Sequence, residues 1–255
     1  MRSNVMKDKI LLYEELSQNA HPALQTEFYD GWVLRFANGY TNRANSINPL
    51  YPSSLDLHEK IAECEKRYAA QGLPVVYKLT DGSDSQIDKA LEEKGYAVAA
   101  PTYVMEMELL DKEFSSGDFV AASYPDEEWL SSFNSFNRYA DNIKTDTAKQ
   151  ILDNVKRNMI CGKIVKDGLT VACGRAVVER GYASLWGVVV DEPKRGKGYG
   201  REICESLLSE AKRLGAHTAF ILVEQDNHKA VNLYSKLGYR TAYSYRYRGL
   251  KIKPT

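Results

Sequence analysis

The sequence has few cysteines and histidines, and their positions do not form the usual disulfide or metal patterns. The four cysteines are Cys64, Cys161, Cys173 and Cys204, and none belongs to a Cys-x-x-Cys pair. Each lies in an apolar or mixed segment, so we expect four reduced thiols that are mostly buried. The four histidines are scattered along the 255 residues, which predicts no zinc site and no bound metal.

The chain also lacks an excess of charge of either sign and any long apolar run. Lysine plus arginine and aspartate plus glutamate both number 34, so the formal net charge is zero and gives no reason to expect nucleic acid. No apolar segment approaches the roughly 18–20 residues of a membrane span, and no apolar signal-peptide core follows residues 1–9. We therefore expect a soluble, cytoplasmic protein that binds neither nucleic acid nor membrane.

Between residues 50 and 110 the apolar spacing alternates between helical and strand periods. The predicted elements are a helix at 57–71, a strand at 75–79, a helix that ends at Gly95 and one or two strands at 96–110. Ser53 or Ser54 can cap the first helix, Gly72 can end it, and the last strand segment is broken near Pro101.

The second half of the chain repeats this order after an additional strand meander. The predicted elements are helices at 126–138 and 145–157, strands at 159–166, 170–179 and 182–190, a helix that ends at Gly215, a strand at 219–223, a helix that ends at Gly238, and a tyrosine-rich last strand. Asp167-Gly168 and Arg180-Gly181 favour hairpin turns within the meander.

A single offset of 143 positions relates the two halves. The related pairs are Gly31 and Gly174, Gly72 and Gly215, Gly95 and Gly238, and Tyr96 and Tyr239. Four matches in one register predict an internal duplication of a mixed α/β (α+β) unit. We place the domains at 1–112 and 118–255, joined by the polar stretch 111–118, which contains Ser115, Ser116 and Gly117.

A glycine-rich basic loop connects the predicted strand at 182–190 to the next helix. The strand end, loop and helix start comprise Val188, Val189, Val190, Arg195, Gly196, Lys197, Gly198, Tyr199, Gly200 and Arg201. Helix N-termini offer unpaired amides and a positive dipole end, and glycine lets the backbone approach an anion closely. The spacing is neither Gly-x-Gly-x-x-Gly nor a Walker loop, so the alternatives are a different phosphate site or a flexible surface turn.

The pattern Arg195-x-x-Gly198-x-Gly200 resembles the pyrophosphate loop of the GNAT superfamily of N-acetyltransferases. The resemblance implies a GNAT acyl-CoA N-acyltransferase fold, duplicated here, with acetyl-CoA as the cofactor. It also implies that the loop binds the pyrophosphate, while Val188 and Val190 present backbone groups to the pantetheine arm. Gly187 would allow the bulge that this family has in the preceding strand.

A second motif resembles the same family. Asn227-x-x-Ala230-x-x-Leu233-Tyr234-x-Lys236-x-Gly238-Tyr239 looks like its strand-five to helix-four segment. This resemblance implies that Asn227 contacts the cofactor and that Tyr234 protonates the leaving thiolate. The activity implied is direct transfer of an acetyl group to a primary amine of a small molecule or peptide.

The general base is not marked by any motif. Residues 184–190 contain no carboxylate, and Glu224 and Glu179 are the nearest candidates. Alternatively, a chain of ordered water accepts the proton of the amine. The alternative for Glu224 is that it is only a solvated residue at a strand end. Tyr234 also has a second interpretation as a core tyrosine.

The offset of 143 also predicts which half is active. It places Asp84 where Asn227 stands, Leu91 where Tyr234 stands, and the glycine-free residues 52–57 where the loop stands. The N-terminal half is therefore predicted to be a degenerate GNAT-like domain. Its polar segment 39–45 is either a hairpin turn with a strand or an edge that faces the substrate.

Several alternatives stay open at the level of sequence. Tyr243, Tyr245 and Tyr247 either pack the last strand or line an acceptor pocket. The enzyme can instead use a longer acyl-CoA, or the chain can be a CoA-binding module without catalysis. The amine acceptor is undefined, and the oligomeric state is a monomer or a homodimer.

Overall fold

The structure is a computed structural model that describes residues 2–114, 117–138 and 142–250. In this part of the chain, eleven strands form one mixed sheet in the order β1-β2-β3-β4-β11-β5-β10-β9-β8-β7-β6. Seven α-helices pack around the sheet. The mixed α/β fold predicted from the sequence is confirmed.

The first half contributes three helices and five strands. They are α1 (Arg2–Ala20), β1 (Gln25–Tyr29), β2 (Trp32–Phe36), β3 (Ile47–Pro49), α2 (Leu57–Ala70), β4 (Val76–Thr80), α3 (Ser85–Glu93) and β5 (Ala97–Glu108). The sequence did not predict α1, because the buried Glu14 interrupts its apolar stripe. Glu14 is stabilised there by Lys78, whose Nζ lies 2.5 Å from its carboxylate, and by the hydroxyl of Tyr243.

The second half contributes four helices and six strands. They are β6 (Phe119–Ala122), α4 (Glu127–Phe136), α5 (Asn142–Asp153), β7 (Asn158–Lys166), β8 (Leu169–Glu179), β9 (Tyr182–Val190), α6 (Tyr199–Arg213), β10 (Thr218–Glu224), α7 (His228–Leu237) and β11 (Arg240–Gly249). Asp167-Gly168 and Arg180-Gly181 form the hairpin turns with positive φ at all four residues, as predicted.

One local prediction in the first half was wrong. Asp56, rather than Ser53 or Ser54, caps α2, because its carboxylate accepts the amides of His58 and Glu59 at 2.9 and 3.1 Å. Residues 97–108 form one strand, within the predicted one or two, and its irregularity lies next to Pro101, at Ala100, with a φ of 44°.

The two halves exchange their last strands. β11, from the second half, pairs with β4 of the first half, while β5 pairs with β10 of the second half. β5 and β11 also pair with each other in antiparallel orientation at the centre of the sheet. The sheet is therefore continuous across both halves, and a cleft can be built from residues of both.

The run α2-β4-α3-β5 recurs as α6-β10-α7-β11, in the predicted order and at the predicted spacing. One of the four matched pairs was wrong. Gly31 lies in the turn between β1 and β2, whereas Gly174 lies inside β8. The duplication and its domain limits stay predictions, and Ser115 and Ser116 of the predicted linker lie outside the described residues.

The core supports the sequence-based view of the cysteines and of the last strand. Cys64, Cys161, Cys173 and Cys204 are all buried thiols. Tyr243, Tyr245 and Tyr247 lie in a buried cluster with residues of α1 and the central strands, so they pack the last strand. No helix in the described ranges is long and apolar enough to cross a bilayer.

Candidate active site

The site begins where β9 separates from β10. The two strands pair in parallel only from Tyr182 to Leu185 and from Thr218 to Ile221. Beyond that point β10 continues to pair with β5, and β9 continues to pair with β8. A wedge therefore opens between the C-terminal ends of two parallel strands, a common location for ligand sites in α/β sheets.

A bulge in β9 lies at the mouth of this wedge. Cys173 of β8 pairs with Val189 and Arg175 pairs with Trp186, so two residues of β9 stand opposite Gly174. Gly187 is one of them and has a φ of 58°, in the left-handed region that favours glycine. The bulge predicted at Gly187 is confirmed. Val188, the other residue, packs against the core.

The glycine-rich loop follows β9 directly and ends at α6. After a short 3-10 turn at Glu192–Lys194, Gly196 and Gly198 adopt φ values of 78° and 89°. Gly198 is the N-cap of α6 and provides no side-chain cap. Its carbonyl accepts the amides of Arg201 and Glu202, so the amides of Tyr199 and Gly200 precede the helical ladder. An anion at such a helix start is typically stabilised by about 0.3–1 kcal/mol from the dipole alone.

The basic residues of the loop are only partly directed at this helix start. Arg195 donates to the carbonyl of Val190 at 3.2 Å. Arg201 pairs with Glu205 at 2.8 Å and donates to the carbonyl of Lys236 at 3.2 Å. These contacts position the loop relative to β9 and α7. Lys197 is exposed and adds positive charge beside Gly198.

The second motif lies on α7, which packs beside α6. Asn227 is the N-cap of α7, and its Oδ1 accepts the amide of Ala230 at 3.2 Å. Leu233 reaches Gly200, because a Cβ built on that glycine would lie 3.5 Å from the Cδ2 of Leu233. The two sequence motifs, 32 residues apart from Arg195 to Asn227, therefore meet in space.

Tyr234 follows Leu233 on α7 and is 94% buried, with 6% of its surface exposed. Its ring makes an edge contact with Tyr239 at 5.8 Å between centroids. Burial, with a smaller contribution from Cys204, raises the pKa of Tyr234 well above its ordinary value. The phenol therefore keeps its proton at neutral pH, which is the state that a proton donor needs.

The two glutamates that the sequence offered as bases lie in different places. Glu224 ends β10 at the open end of the wedge, and its carboxylate lies 4.0 Å from Arg43 of the first half. Glu179 ends β8 and pairs with Tyr182, at the end of β9 that is farther from the glycine-rich loop. There it forms an ion pair with Arg157 at 2.9 Å and accepts a hydrogen bond from Asn19. The structure thus brings only Glu224 to the side of the sheet that carries the glycine-rich loop.

A cavity of about 120 Å³ adjoins the bulge at Gly187. Its walls come from both halves: His21, Tyr40, Thr41 and Arg43 of the first, and α4, α5, β8 and β9 of the second. The segment 39–45 forms turns rather than the predicted hairpin and strand, and Tyr40, Thr41 and Arg43 line the cavity. That the segment faces the substrate stays a prediction.

Sequence reasoning missed most of the cavity. His21, Trp129, Arg175 and Trp186 were not singled out. Arg175 and Trp186 are a cross-strand pair in β8 and β9, which the predicted meander implied. An arginine in the middle of an otherwise apolar strand was the one available signal, since such a residue needs a specific reason for burial.

Comparisons with known proteins identify the family of this chain. The sequence model of the family described as "Probable histone acetyltransferase Rv0428c C-terminal" matches residues 9–248. The chain belongs to this acetyltransferase family. The Bacillus subtilis protein named Uncharacterized N-acetyltransferase YobR is 28% identical over 248 residues, which is 94% of this chain and 98% of that relative.

Solved structures show the same fold. A GCN5-related N-acetyltransferase from Kribbella flavida has a TM-score of 0.67 at 17% identity, with 94% of each chain covered. A tandem GNAT protein from the clavulanic acid biosynthesis pathway has a TM-score of 0.61 at 13% identity, with 77% of this chain and 70% of that chain covered. The GNAT fold expected from the two motifs is confirmed.

Proposed function

We propose that the chain is an acetyl-CoA-dependent N-acetyltransferase that transfers the acetyl group directly to a primary amine of a small molecule or peptide. The observation that carries this proposal is the meeting of three features: an uncapped glycine helix start, a bulged strand beside a wedge, and a protonated tyrosine on α7. The family description names a histone acetyltransferase and YobR is named an N-acetyltransferase, which support nitrogen as the acceptor atom.

The residues fit acetyl-CoA as follows. The amides of Tyr199 and Gly200, with Lys197 beside them, would hold the diphosphate. Backbone groups of Val188 to Val190 would hold the pantetheine arm along the unpaired edge of β9. When bound, acetyl-CoA would supply the acetyl thioester at the inner end of the wedge.

The proposed reaction forms one bond and breaks one. The amine nitrogen attacks the thioester carbon, the C–N bond forms and the C–S bond breaks. Tyr234 gives its proton to the departing sulfur, and the amine loses one proton to Glu224, directly or through water. A backbone amide near the bulge, in the stretch from Val188 to Val190, would donate to the carbonyl oxygen as charge builds up there.

A direct assay tests this function. The purified full chain is incubated with acetyl-CoA and a panel of amines that includes amino acids, simple alkyl amines and lysine peptides. Release of free CoA and an acetylated amine, identified by its mass, is the expected result. Tight binding of acetyl-CoA without CoA release from any amine would contradict it, and would favour the CoA-binding module without catalysis. Faster reaction with a longer acyl-CoA would replace acetyl as the transferred group.

A further inference from the structure

The cavity beside Gly187 carries an unusual set of polar groups. Its charged side chains are Arg43 and Arg175, and its aromatic walls include Trp129, Phe133 and Trp186. Among its lining residues, all of which lie in the described part of the chain, none is acidic. The cavity is therefore positively charged although the whole chain is neutral.

Arg175 is buried, with 4% of its surface exposed, and its contacts are with neutral groups. It donates to the carbonyl of Ala20 at 2.8 Å and to Nδ1 of His21 at 3.2 Å, and its guanidinium lies 5.4 Å from the centre of the Trp186 ring. No ion pair within the described residues involves Arg175. Burial lowers its pKa to about 10, which leaves it charged at neutral pH.

His21 adds a donor to this wall and no charge. Because a guanidinium has no acceptor, Nδ1 of His21 must accept from Arg175, and the ring hydrogen of the neutral form must sit on Nε2. Nε2 faces Thr41 Oγ1 at 3.5 Å. Burial, followed by the charges of Arg175, Arg35 and Arg43, lowers the pKa of His21 well below its ordinary value, so the ring is neutral.

Arg43 provides an unmatched donor to the same cavity. Its Nε is buried and has no hydrogen-bond partner in the described part of the chain. Its terminal nitrogen lies 4.0 Å from Glu224, the proposed base. Arg43 thus connects the cavity to the wedge where the transfer is proposed to occur.

A cavity whose polar groups are mainly donors is complementary to an anion. A guanidinium matches a carboxylate in shape and charge, with two parallel N–H···O bonds. The same charge would repel an ammonium group and favour the neutral, reactive form of a bound amine. The aromatic walls would cover the apolar part of the same molecule.

We propose that the acceptor is a small amine that also carries a carboxylate, which binds Arg175 and Arg43, and an apolar group, which packs between Trp186 and Phe133. This inference rests on the proposed function for the role of the amine. It places the acceptor between the two halves, with its carboxylate in the cavity and its nitrogen toward the bulge at Gly187. The first half then contributes to substrate selection through Arg43.

The experiment uses binding, so that its outcome does not depend on turnover. N-acetyl-L-phenylalanine and N-acetylphenethylamine, which differ only by a carboxylate, are titrated by calorimetry into the full chain saturated with CoA. We expect the carboxylate ligand to bind at least about tenfold more tightly, the scale of a charge-assisted pair. Equal affinity for the two ligands would overturn the proposal.

Variants then test whether the preference for the carboxylate ligand arises in the cavity. Arg175→Gln should reduce the preference to within about twofold while CoA affinity is unchanged. The exposed Arg180→Gln, outside the cavity, is the matched control and should keep the preference. A purely structural role for Arg175, as a clamp on Ala20, would lower thermal stability and leave the ratio of the two affinities unchanged. If Arg175→Gln does not fold, Arg43→Gln makes the same test.

The two proposals fail in different ways. If the carboxylate preference is found but no amine is acetylated, the site assignment stands and the proposed function falls. If phenethylamine or a lysine peptide is acetylated as fast as L-phenylalanine, the function stands and the carboxylate inference falls. Acetylation of L-phenylalanine at least about tenfold faster than phenethylamine, in kcat/KM, supports both.

Discussion

The helix starts of α6 and α2 occupy equivalent places in the two halves, yet one is open and the other is filled by the protein itself. At α6 the N-cap is Gly198, which offers no side chain to the first amides. At α2 the N-cap Asp56 accepts two amides, and the carboxylate of Asp30 accepts the amides of Ser54 and Leu55 at 3.0 Å. Asp56 and Asp30 thus accept amides at and just before the start of α2 that would otherwise be open to an anion.

Packing keeps the α2 end closed. A Cβ on Gly31 would lie 2.2 Å from the carbonyl oxygen of Pro52, so the loop before α2 sits tightly on the turn that carries Asp30. Lys60, with 1% of its side chain exposed, pairs with Asp30 at 2.9 Å. At the start of α6, by contrast, a Cβ on Gly196 or Gly198 would meet nothing within 4 Å. We therefore expect an anion site only at the helix start that no carboxylate of the chain fills.

The equivalent helices α3 and α7 differ in the same way. Tyr234 on α7 carries a phenol, whereas Leu91 on α3 is aliphatic, and both side chains are buried. β3 and β4 pair in parallel at a single position, Ile47 with Tyr77, so the first half also has a separation between its parallel strands. The two halves share the order of these elements, and the glycine-rich loop and the phenol lie in the second half.

The largest effect on acetyl-CoA binding is expected from closing the open start of α6. Gly198→Val should weaken acetyl-CoA binding at least about 100-fold, because φ = 89° costs an L side chain about 1–2 kcal/mol and the new Cβ occupies the space of the anion. Gly215→Val, at φ = 87° beyond the other end of α6, is the control with matched backbone strain. Calorimetry and thermal melts of both variants make the comparison. Equal affinities for acetyl-CoA would remove the loop from the cofactor site.

The next largest effect is expected for Tyr234, in whose place the first half has Leu91. Tyr234→Phe should lower kcat about 10²-fold or more and leave the affinity for acetyl-CoA nearly unchanged, because it removes a proton donor and keeps the ring. Tyr239→Phe is the control, since the buried hydroxyl of Tyr239 has no hydrogen-bond partner in the described residues. Steady-state kinetics with a carboxylate-bearing amine separate the two. An unaltered kcat for Tyr234→Phe would show that the sulfur is protonated by another group.

Many of the elements that differ between the two halves could be predicted from local sequence. Helical stripes, terminal glycines and the offset of 143 predicted α2, α3, α6 and α7, because each signal acts within about one helical turn. The glycine-rich loop, and Leu91 in the place of Tyr234, predicted which half carries the site. The bulge at Gly187 followed from the resemblance to the family.

The remaining features depend on long-range contacts. The exchange of β5 and β11 is set by pairing across the centre of the sheet, and neither strand carries a local sign of its neighbour. The cavity joins His21, Arg43 and Arg175, which are far apart in sequence. The charge of Glu14 in α1 is balanced by Lys78 of β4, so its burial cannot be read from the helix alone.

The smallest effect on cofactor binding is expected at the closed helix start. Asp30→Asn should leave acetyl-CoA affinity unchanged and lower the urea midpoint at pH 7, because Lys60 loses its charged partner. The side chain of Lys60 and the amide of Leu55 hold the pKa of Asp30 well below its ordinary value. The stabilisation is therefore present above the unfolded-state pKa of about 3.9 and disappears as the pH falls below it.

Urea titrations at several pH values test this linkage. The difference in midpoint between wild type and Asp30→Asn should be largest at neutral pH and should shrink as the pH is lowered through about 4. The exposed Asp111→Asn is the control and should show a smaller difference at every pH. A pH-independent difference would mean that the amide, and not the loss of charge, disturbs the loop. Loss of acetyl-CoA binding in Asp30→Asn would mean that the α2 end takes part in the cofactor site, and the contrast between the two helix starts would fail.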